Sequence, residues 1–395
     1  MSWPMVEIGS VVSALSGFAW KSSNYTSMKK EAMPIIRIQN VGEYNTPQDF
    51  VYWDEQYDNK YVVSSGDLLV SLSGNIKVGI WEEPDALLNQ RIVKLIPGDK
   101  IDKDYLYYSV LKNLNDISNL GKKAVISNVS INDLKKIVIP LPPLPVQKKI
   151  SVNFKKTDLL KRQCEKMSAE LNALAQAVYL EMFGDPISNP LAWPKVTLDE
   201  IAEVQGGLQV TGKRSSLPVK VDYLRVANVY KNELKLDQIK TIQVTQSELD
   251  RTRLKIGDML VVEGHGNKDE IGRTAVWDGS IENCTHQNHL IRVRFDESVA
   301  VPEFVSRFLN SDGGRYQINK ICNTTSGLNT ISANSVRSLE VSLPPIHLQR
   351  KYISLLNVLN LQASKNLQVQ KYIKNVFETL MQSSFSGKLN LKKVA

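Results

Sequence analysis

The chain has 395 residues, 42% hydrophobic and 23% charged, with a formal net charge of +8. This length and composition predict a soluble globular protein of two or more domains. No apolar run reaches the ~20 residues of a membrane span, and the opening residues 1–4 lack the basic and apolar regions of a secretory signal, so we expect neither a membrane protein nor a secreted one.

The positive charge is concentrated at one end of the chain. Residues 346–395 contain eight Lys and Arg against one acidic residue, so they carry seven of the eight net charges. Overall basicity is therefore weak evidence for nucleic-acid binding, and any other surface that meets phosphates must be a local patch. The cysteines (Cys164, Cys284 and Cys322) are odd in number and far apart, which disfavours a disulfide framework and fits a reducing cytoplasm.

Short strand-like runs fill residues 1–145. Ile35–Ile38, Leu68–Leu72 and Ile92–Ile96 are separated by Gly, Asn and Asp, and an amphipathic helix is predicted at Lys103–Leu114. This pattern is typical of a compact mixed α/β module with a strongly bent sheet.

A long helix follows the module. Pro142-Pro143 cannot continue a strand ladder but can open a helix. Apolar residues then alternate spacings of four and three over about 147–183, without an internal Pro or Gly, which predicts one strand of a left-handed coiled coil. The seam positions are Leu160, Cys164, Met167, Leu171, Leu174 and Val178.

The same motifs then return in the same order, which indicates a duplicated fold. The matched blocks are Trp3-Pro4 with Trp193-Pro194, Ile36-Arg37-Ile38 with Leu224-Arg225-Val226, Gly66-Asp67-Leu68 with Gly257-Asp258-Met259, and Leu141-Pro142-Pro143 with Leu343-Pro344-Pro345. The second copy also has a predicted short helix, at Pro302–Asn310. The predicted domains are a first mixed module (1–145), long helix 1 (146–189), a second mixed module (190–345), and long helix 2 with a C-terminal tail (346–395).

The second long helix, predicted over about 348–384, carries a similar seam. Its positions are Leu348, Tyr352, Leu355, Leu359, Gln362, Asn366, Val369, Ile373, Val376 and Leu380. Gln362 and Asn366 interrupt the apolar pattern, and a polar pair at a seam can fix the register of partner helices. We therefore expect an antiparallel two-helix coiled coil that separates two α/β (α+β) modules in a pseudo-twofold dumbbell. The alternative is that each helix lies on its own module.

Searches for catalytic and metal motifs find nothing. No phosphate-binding loop and no amino-methyltransferase motif occurs. Cys284, His286 and His289 have no fourth ligand nearby, and we expect Gly264-His265-Gly266 to be a surface loop. The sequence predicts neither a catalytic site nor a metal site.

Basic and polar residues gather instead in loops at equivalent places of both copies. Asn, Gln, Arg and Lys read base edges, and Lys and Ser hold phosphates. The candidates in copy one are Lys21, Ser73, Asn75, Lys77, Asn89, Gln90 and Arg91. Those in copy two are Lys213, Arg214, His265, Asn267, Lys268, His286, Gln287 and Asn288.

Taken together, these motifs resemble the specificity subunit of a type I restriction–modification system. Each half ends in Leu-Pro-Pro-(Leu/Ile)-x-x-Gln and is followed by a long helix that closes with Phe and Gly, at 183–184 and 385–387. The family often has Glu before that Gln, where this chain has Val146 and Leu348, a departure at a helix start.

The resemblance implies a non-catalytic reader of double-stranded DNA in the cytoplasm. The modules at 1–145 and 190–345 would be target-recognition domains 1 and 2, and each would bind half of a split site. The helices would set the spacer between the halves, which ~37 helical residues limit to at most ~16 base pairs. Two methyltransferase subunits, which carry S-adenosylmethionine and the adenine-N6 chemistry, would dock on the chain, with an endonuclease/translocase subunit as an optional further partner. The chain itself would bind no cofactor.

Two alternatives remain open. A reader for a methyltransferase outside type I systems would have the same binding chemistry and a different partner. A coiled-coil scaffold with two protein-binding modules would show neither sequence preference nor a steep salt dependence on DNA.

Overall fold

The computed structural model describes residues 3–27, 32–42, 50–74, 76–114, 129–325 and 328–385. The chain forms two compact units. Unit 1 comprises Met1–Lys166 and Leu367–Ala395, and unit 2 comprises Met167–Asn366. Each unit takes in part of both long helices, so the units are drawn differently from the predicted domains, whose boundaries stay predictions.

Unit 1 is a mixed module of short strands and helices. Its strands are β1 (Met5–Glu7), β2 (Val12–Ser16), β3 (Met33–Ile36), β4 (Val51–Trp53), β5 (Val62–Val63), β6 (Leu68–Ser71), β7 (Val78–Ile80), β8 (Ala86–Leu88), β9 (Ile92–Pro97) and β10 (Val138–Pro140). Its helices are α1 (Lys103–Lys112), α2 (Ile131–Lys135) and the first part of α3 (Leu144–Phe183).

The strands of unit 1 form two four-stranded sheets and a two-stranded ladder. One sheet has the antiparallel order β2-β9-β6-β7, and the other has the order β4-β3-β8-β5, in which β3 and β8 are parallel with Ile35 opposite Leu87. The ladder pairs β1 with β10. The first sheet is buried against α1 and α2, with Val70, Val93 and Tyr105 in the core.

Unit 2 repeats this arrangement with additional elements. Its strands are β11 (Lys195–Thr197), β12 (Ala202–Gly206), β13 (Val219–Leu224), β14 (Val229–Tyr230), β15 (Glu233–Leu234), β16 (Lys240–Val244), β17 (Met259–Val262), β18 (Gly264–His265), β19 (Thr274–Val276), β20 (Thr285–His286), β21 (Leu290–Phe295), β22 (Asn323–Thr325), β23 (Leu328–Thr330) and β24 (Glu340–Ser342). Its helices are α4 (Leu198–Ile201), α5 (Gln246–Thr252), α6 (Pro302–Asn310), α7 (Asp312–Ile321), α8 (Ala333–Arg337) and the first part of α9 (Ile346–Phe385).

The sheets of unit 2 match those of unit 1 strand for strand where the two can be compared. The order β12-β21-β17-β19 corresponds to β2-β9-β6-β7, and β11-β24 corresponds to β1-β10. In the second sheet, β16-β13-β20 again contains one parallel pair, between β13 and β20. The mixed α/β fold class in two copies is confirmed.

Buried polar side chains make the same hydrogen bonds in both copies. Gln147 Nε2 donates to the Pro142 carbonyl at 2.7 Å, and Gln349 Nε2 donates to the Pro344 carbonyl at 2.7 Å. Both glutamine side chains are fully buried, and each Oε1 accepts from a backbone N–H of its own unit, at 2.8 Å. The repeated Leu-Pro-Pro-x-x-x-Gln motif is therefore a structural device that fixes the start of each long helix on its module.

The two long helices pair in antiparallel fashion in each unit. In unit 1 the ring of Phe154, near the start of α3, lies 5.4 Å from that of Phe377, near the end of α9. In unit 2 the ring of Phe183, at the end of α3, lies 5.4 Å from that of Tyr352, near the start of α9. The predicted helix pairing is confirmed. Among the described residues no helix combines the length and apolar character needed to cross a lipid bilayer.

Three predicted seam positions are exposed on each helix, out of six on α3 and ten on α9. Leu171, Val178, Leu359, Asn366, Ile373, Val376 and Leu380 are buried or partly buried, whereas Leu160, Met167, Leu174, Leu355, Gln362 and Val369 are exposed. The buried flank runs one residue later, for example at Leu356 instead of Leu355. On each helix the exposed positions recur every seven residues, so they belong to one of the two rows of the predicted seam.

The polar interruption of the seam is only partly as predicted. Asn366 is buried, and its Nδ2 donates to Ser168 Oγ on α3 at 2.8 Å, within unit 2. Gln362 is exposed. The register-fixing polar contact therefore joins Asn366 to Ser168 and does not involve Gln362.

Candidate nucleic-acid interface

In unit 1, backbone hydrogen bonds draw the three predicted loops to one edge. The Phe18 N–H donates to the Leu88 carbonyl at 3.0 Å, and the Gln90 N–H donates to the Phe18 carbonyl at 2.9 Å. The Leu72 N–H donates to the Arg91 carbonyl at 2.9 Å. We call this surface edge 1; it consists of residues 17–21, 72–74, 76–77 and 89–91.

Unit 2 has the equivalent surface, held by equivalent bonds. The Leu208 N–H donates to the His286 carbonyl and the Asn288 N–H donates to the Leu208 carbonyl, both at 2.9 Å. The Glu263 N–H donates to the His289 carbonyl at 3.0 Å. We call this surface edge 2; it consists of residues 207–214, 263–268 and 286–289. Each unit thus brings its own predicted loops together.

A glycine allows the first loop to approach the third in both edges. A Cβ on Gly17 would lie 2.1 Å from the Asn89 carbonyl oxygen, and one on Gly207 would lie 2.3 Å from the Gln287 carbonyl oxygen. Real Cβ atoms do not approach backbone so closely, so only glycine fits. The two glycines occupy equivalent places, directly after β2 in unit 1 and after β12 in unit 2.

Most of the candidate side chains of edge 1 reach the surface. Lys21, Gln90 and Arg91 are exposed, and Lys77 and Asn89 are partly exposed. Ser73 is buried and therefore cannot hold a phosphate as placed. Asn75 lies outside the described residues.

Edge 2 presents a similar polar set. Its exposed candidates are Lys213, Asn267 and Lys268, and its partly exposed ones are His265, Gln287 and Asn288. The expected 264–266 surface loop is in part a strand, because β18 pairs with β23.

Arg214 is held inside unit 2 by an acidic partner. Its Nη1 and Nη2 donate to the two carboxylate oxygens of Glu248, each at 3.1 Å, and its Nε donates to the Gln209 carbonyl. The guanidinium holds the pKa of the Glu248 carboxyl below its usual range, and the Thr245 N–H adds to this effect. Three of the five guanidinium N–H donors of Arg214 are thus engaged within unit 2.

His286 is not a surface residue, contrary to the sequence prediction. Its side chain is fully buried, and neither ring nitrogen makes a hydrogen bond of normal geometry with the described residues. Burial lowers the pKa of His286 to about 3, and the charge of Arg292 adds to the effect. The bonds that build the two edges place His286 at the position of Leu88, a core residue of unit 1.

The same geometry separates the residues that could be mistaken for a metal site. Cys284 and His286 are buried, while the side chain of His289 is half-exposed and lies 3.5 Å from Glu263. Among the residues that the structure describes, no group of three His, Cys, Asp or Glu is arranged to hold a metal ion.

Sequence reasoning missed three features of the edges. Phe18 is an exposed aromatic residue within edge 1. In edge 2, Glu263 lies between the loops, and burial raises the pKa of its carboxyl while the nearby His289 opposes the change. The β22–β23 hairpin joins edge 2 because Asn329 Nδ2 donates to the carbonyls of His265 and Gly266. Only the Asn- and Thr-rich composition of that hairpin could have indicated it.

In each unit, exposed apolar side chains occur on both long helices. Single exposed apolar residues are ordinary on protein surfaces, but rows of them along a helix mark surfaces that other proteins cover. These side chains include Leu159, Leu160, Met167 and Leu174 of α3, and Leu355, Val358, Leu361, Val369 and Tyr372 of α9. We call this set the apolar flank.

The structure thus combines two similar mixed units, each with a polar loop edge, and a pair of long antiparallel helices. Residues 2–173 match the family model described as the Type I restriction modification DNA specificity domain. The chain is 25% identical to the EcoBI specificity subunit of Escherichia coli, over 98% of this chain and 86% of the relative. It is 24% identical to the EcoKI specificity subunit of Escherichia coli strain K12, over 98% and 89%.

Two solved structures have a similar fold. The S subunit of a type I restriction–modification system from M. genitalium matches with a TM-score of 0.60 at 14% identity, over 97% of this chain and 96% of that one. A chain from a structure describing complex assembly of the type I R-M system matches with a TM-score of 0.55 at 15% identity, over 98% of both. Over 98% of its length the chain is similar to type I restriction enzyme specificity subunits, and its residues 2–173 match the DNA specificity domain.

Proposed function

We propose that the chain is the DNA-reading subunit of a type I restriction–modification complex, in which unit 1 and unit 2 each bind one half of a bipartite double-stranded site. The observation that carries this proposal is the repetition of one loop edge in both units. The backbone bonds of the two edges are equivalent, while their side chains differ, as expected of two readers with different targets.

The apolar flank supports a second part of the proposal. Apolar rows on paired helices suit the docking of other subunits, and we propose that two methyltransferase subunits cover them. Those subunits would carry S-adenosylmethionine and modify adenine N6, while this chain contributes recognition and no catalysis. An endonuclease/translocase subunit would be a further partner, and the complex would act in the cytoplasm, where its DNA lies.

The long helices provide the spacer of the proposed site. Each has 40 residues, which corresponds to ~60 Å at 1.5 Å per residue. At ~3.4 Å per base pair this length bounds the separation of the half-sites at ~18 base pairs. We propose halves about one turn of DNA apart, because the edges also reach along the duplex.

Salt-dependent DNA binding tests the proposal. The full chain, purified with its methyltransferase subunit, is titrated with its duplex at several salt concentrations. The four exposed basic side chains of the two edges are Lys21, Arg91, Lys213 and Lys268. If each contacts one phosphate, replacing all four by Ala makes the negative slope of log K against log salt shallower by about 3.6.

Two exposed lysines away from the edges supply the matched control. Lys100 follows β9 and Lys255 precedes β17, so both lie at the strand ends opposite the edges. Their replacement by Ala should leave the slope unchanged. Equal slopes for wild type and the four-site variant, or binding without sequence preference, would contradict DNA reading by the edges and favour a scaffold.

A further inference from the structure

Phe18 and Leu208 occupy equivalent positions in the two edges but differ in exposure. Each forms a parallel bridge to the third loop, Phe18 with Asn89 and Leu208 with Gln287. The Phe18 side chain is 45% exposed, whereas Leu208 is 2% exposed. The same backbone position therefore shows an apolar ring to solvent in one edge and none in the other.

The difference follows from what covers the position in each unit. In unit 2, Leu208 packs in a cluster with Val221, Ile242 and Leu249, and Leu249 belongs to α5. In unit 1, β8 is the counterpart of β20, and the strand β5 pairs with β8. The apolar cluster there is built around Trp20 and Trp53 and does not enclose Phe18.

Neighbouring aromatic rings hold Phe18 in place. Its ring lies 4.8 Å from that of Trp20, edge to face, and 5.4 Å from that of Tyr61. Trp20 is itself fixed, because its Nε1 donates to the Leu88 carbonyl at 3.0 Å. With the backbone of Phe18 bonded on both sides, the exposed face of the ring is pre-positioned and little entropy is lost when something covers it.

Residues suited to duplex DNA surround this apolar face. Gln90 and Arg91 are exposed on the adjoining loop, and Lys21 is exposed three residues after Phe18. Amide and guanidinium groups read the polar edges of bases, while in the major groove the apolar feature that distinguishes one base pair is the C5-methyl group of thymine. A rigid ring amid such groups is placed to read that methyl.

We propose that Phe18 is a specificity-determining residue of edge 1 that recognises a thymine C5-methyl in the half-site bound by unit 1. This inference rests on the proposed function and names part of its chemistry. Edge 2 presents the carboxylate of Glu263 and no exposed ring at the position of Leu208, so the two half-sites differ in their apolar contact.

Removing single thymine methyl groups from the DNA, and comparing wild type with Phe18 variants, tests this assignment. Deoxyuridine replaces each thymine of the half-site in turn, which removes only the methyl, and binding of the full chain with its methyltransferase subunit is measured. For wild type we expect a loss of about fourfold at one thymine, from the burial of about one methyl group. Phe18→Ala and Phe18→Gln should bind the thymine duplex more weakly and lose nothing further at that position.

The other half-site provides the internal control. Deoxyuridine responses in the half-site of unit 2 should be the same in wild type and both Phe18 variants, which shows that the variants are folded and assembled. The assignment is overturned if no thymine of the first half-site responds, if the response is equal in wild type and variants, or if that half-site contains no thymine. Failure of wild type to prefer any sequence would instead overturn the proposed function.

Discussion

His286→Leu should stabilise unit 2 and make it less sensitive to acid. The substitution gives unit 2 the residue that unit 1 has at the equivalent position, Leu88. At neutral pH it removes two buried ring nitrogens that lack hydrogen bonds of normal geometry, a change worth on the order of 1–3 kcal/mol. The side chain volumes are similar, so the site should accept leucine without overpacking.

The pH dependence follows from the lowered pKa of His286. The folded value is about 3 and the ordinary value is 6.5, so as pH falls through 6.5 the unfolded chain takes up a proton that the folded chain does not. Wild-type stability is therefore lost over the window from pH 6.5 towards pH 3. Between pH 7 and pH 5 this histidine alone lowers the free energy of unfolding by about 2 kcal/mol.

Native-state hydrogen exchange of the β17 and β21 amides measures this free energy for unit 2 by itself. We expect the advantage of His286→Leu over wild type to grow by about 2 kcal/mol between pH 7 and pH 5. His347→Gln removes an exposed histidine of α9 and should follow wild type. A constant advantage across this range, or a destabilised variant, would refute the assignment of His286 to the core.

Three further predictions concern the loops and helices. Arg214→Ala should lower the free energy of unfolding by about 1–3 kcal/mol, measured by differential scanning calorimetry, because the pair with Glu248 is lost. The neighbouring Lys213→Ala should reduce only the salt dependence of DNA binding. The reverse pattern would exclude a structural role for Arg214. Gly207→Ala should lower the free energy of unfolding by about 1–3 kcal/mol and weaken DNA binding, because the added Cβ would meet backbone atoms. Gly266→Ala should be close to neutral, because open space surrounds that position. Equal effects of the two substitutions in thermal unfolding would contradict the close approach at Gly207. Inserting one heptad into both long helices should lengthen the spacer of the recognised site by about 3 base pairs, as read from the methylated DNA motif. An unchanged spacer would contradict the proposal that the helices set its length.

Much of the fold could be predicted because the same motifs occur twice in the sequence. The paired motifs located both modules and both long helices, and the structure places α3 and α9 within three residues of the expected starts and within one of the expected ends. The flank of the helix pairing could not be predicted, because apolar residues stand on both sides of the seam. Leu355 and Leu356 are adjacent and chemically identical, so only the packing distinguishes them.

The candidate site was predictable as a set of loops and less so as individual side chains. Polar residues after glycines and strand ends indicated where the edges lie, and their backbone bonds bring them together. His286 was misplaced because its neighbours Gln287 and Asn288 are polar, although its repeat equivalent is Leu88. Phe18 was missed because an apolar residue after glycine is usually core, as Leu208 is.

Sequencing that reports modified bases tests DNA reading by two units most directly. Genomic DNA from a host that carries the gene is compared with DNA from a strain in which it is deleted. We predict methylated adenines within a bipartite motif, two specified halves separated by a fixed unspecified stretch, that disappears in the deletion strain. A continuous motif, or a modification pattern that the deletion leaves unchanged, would contradict it.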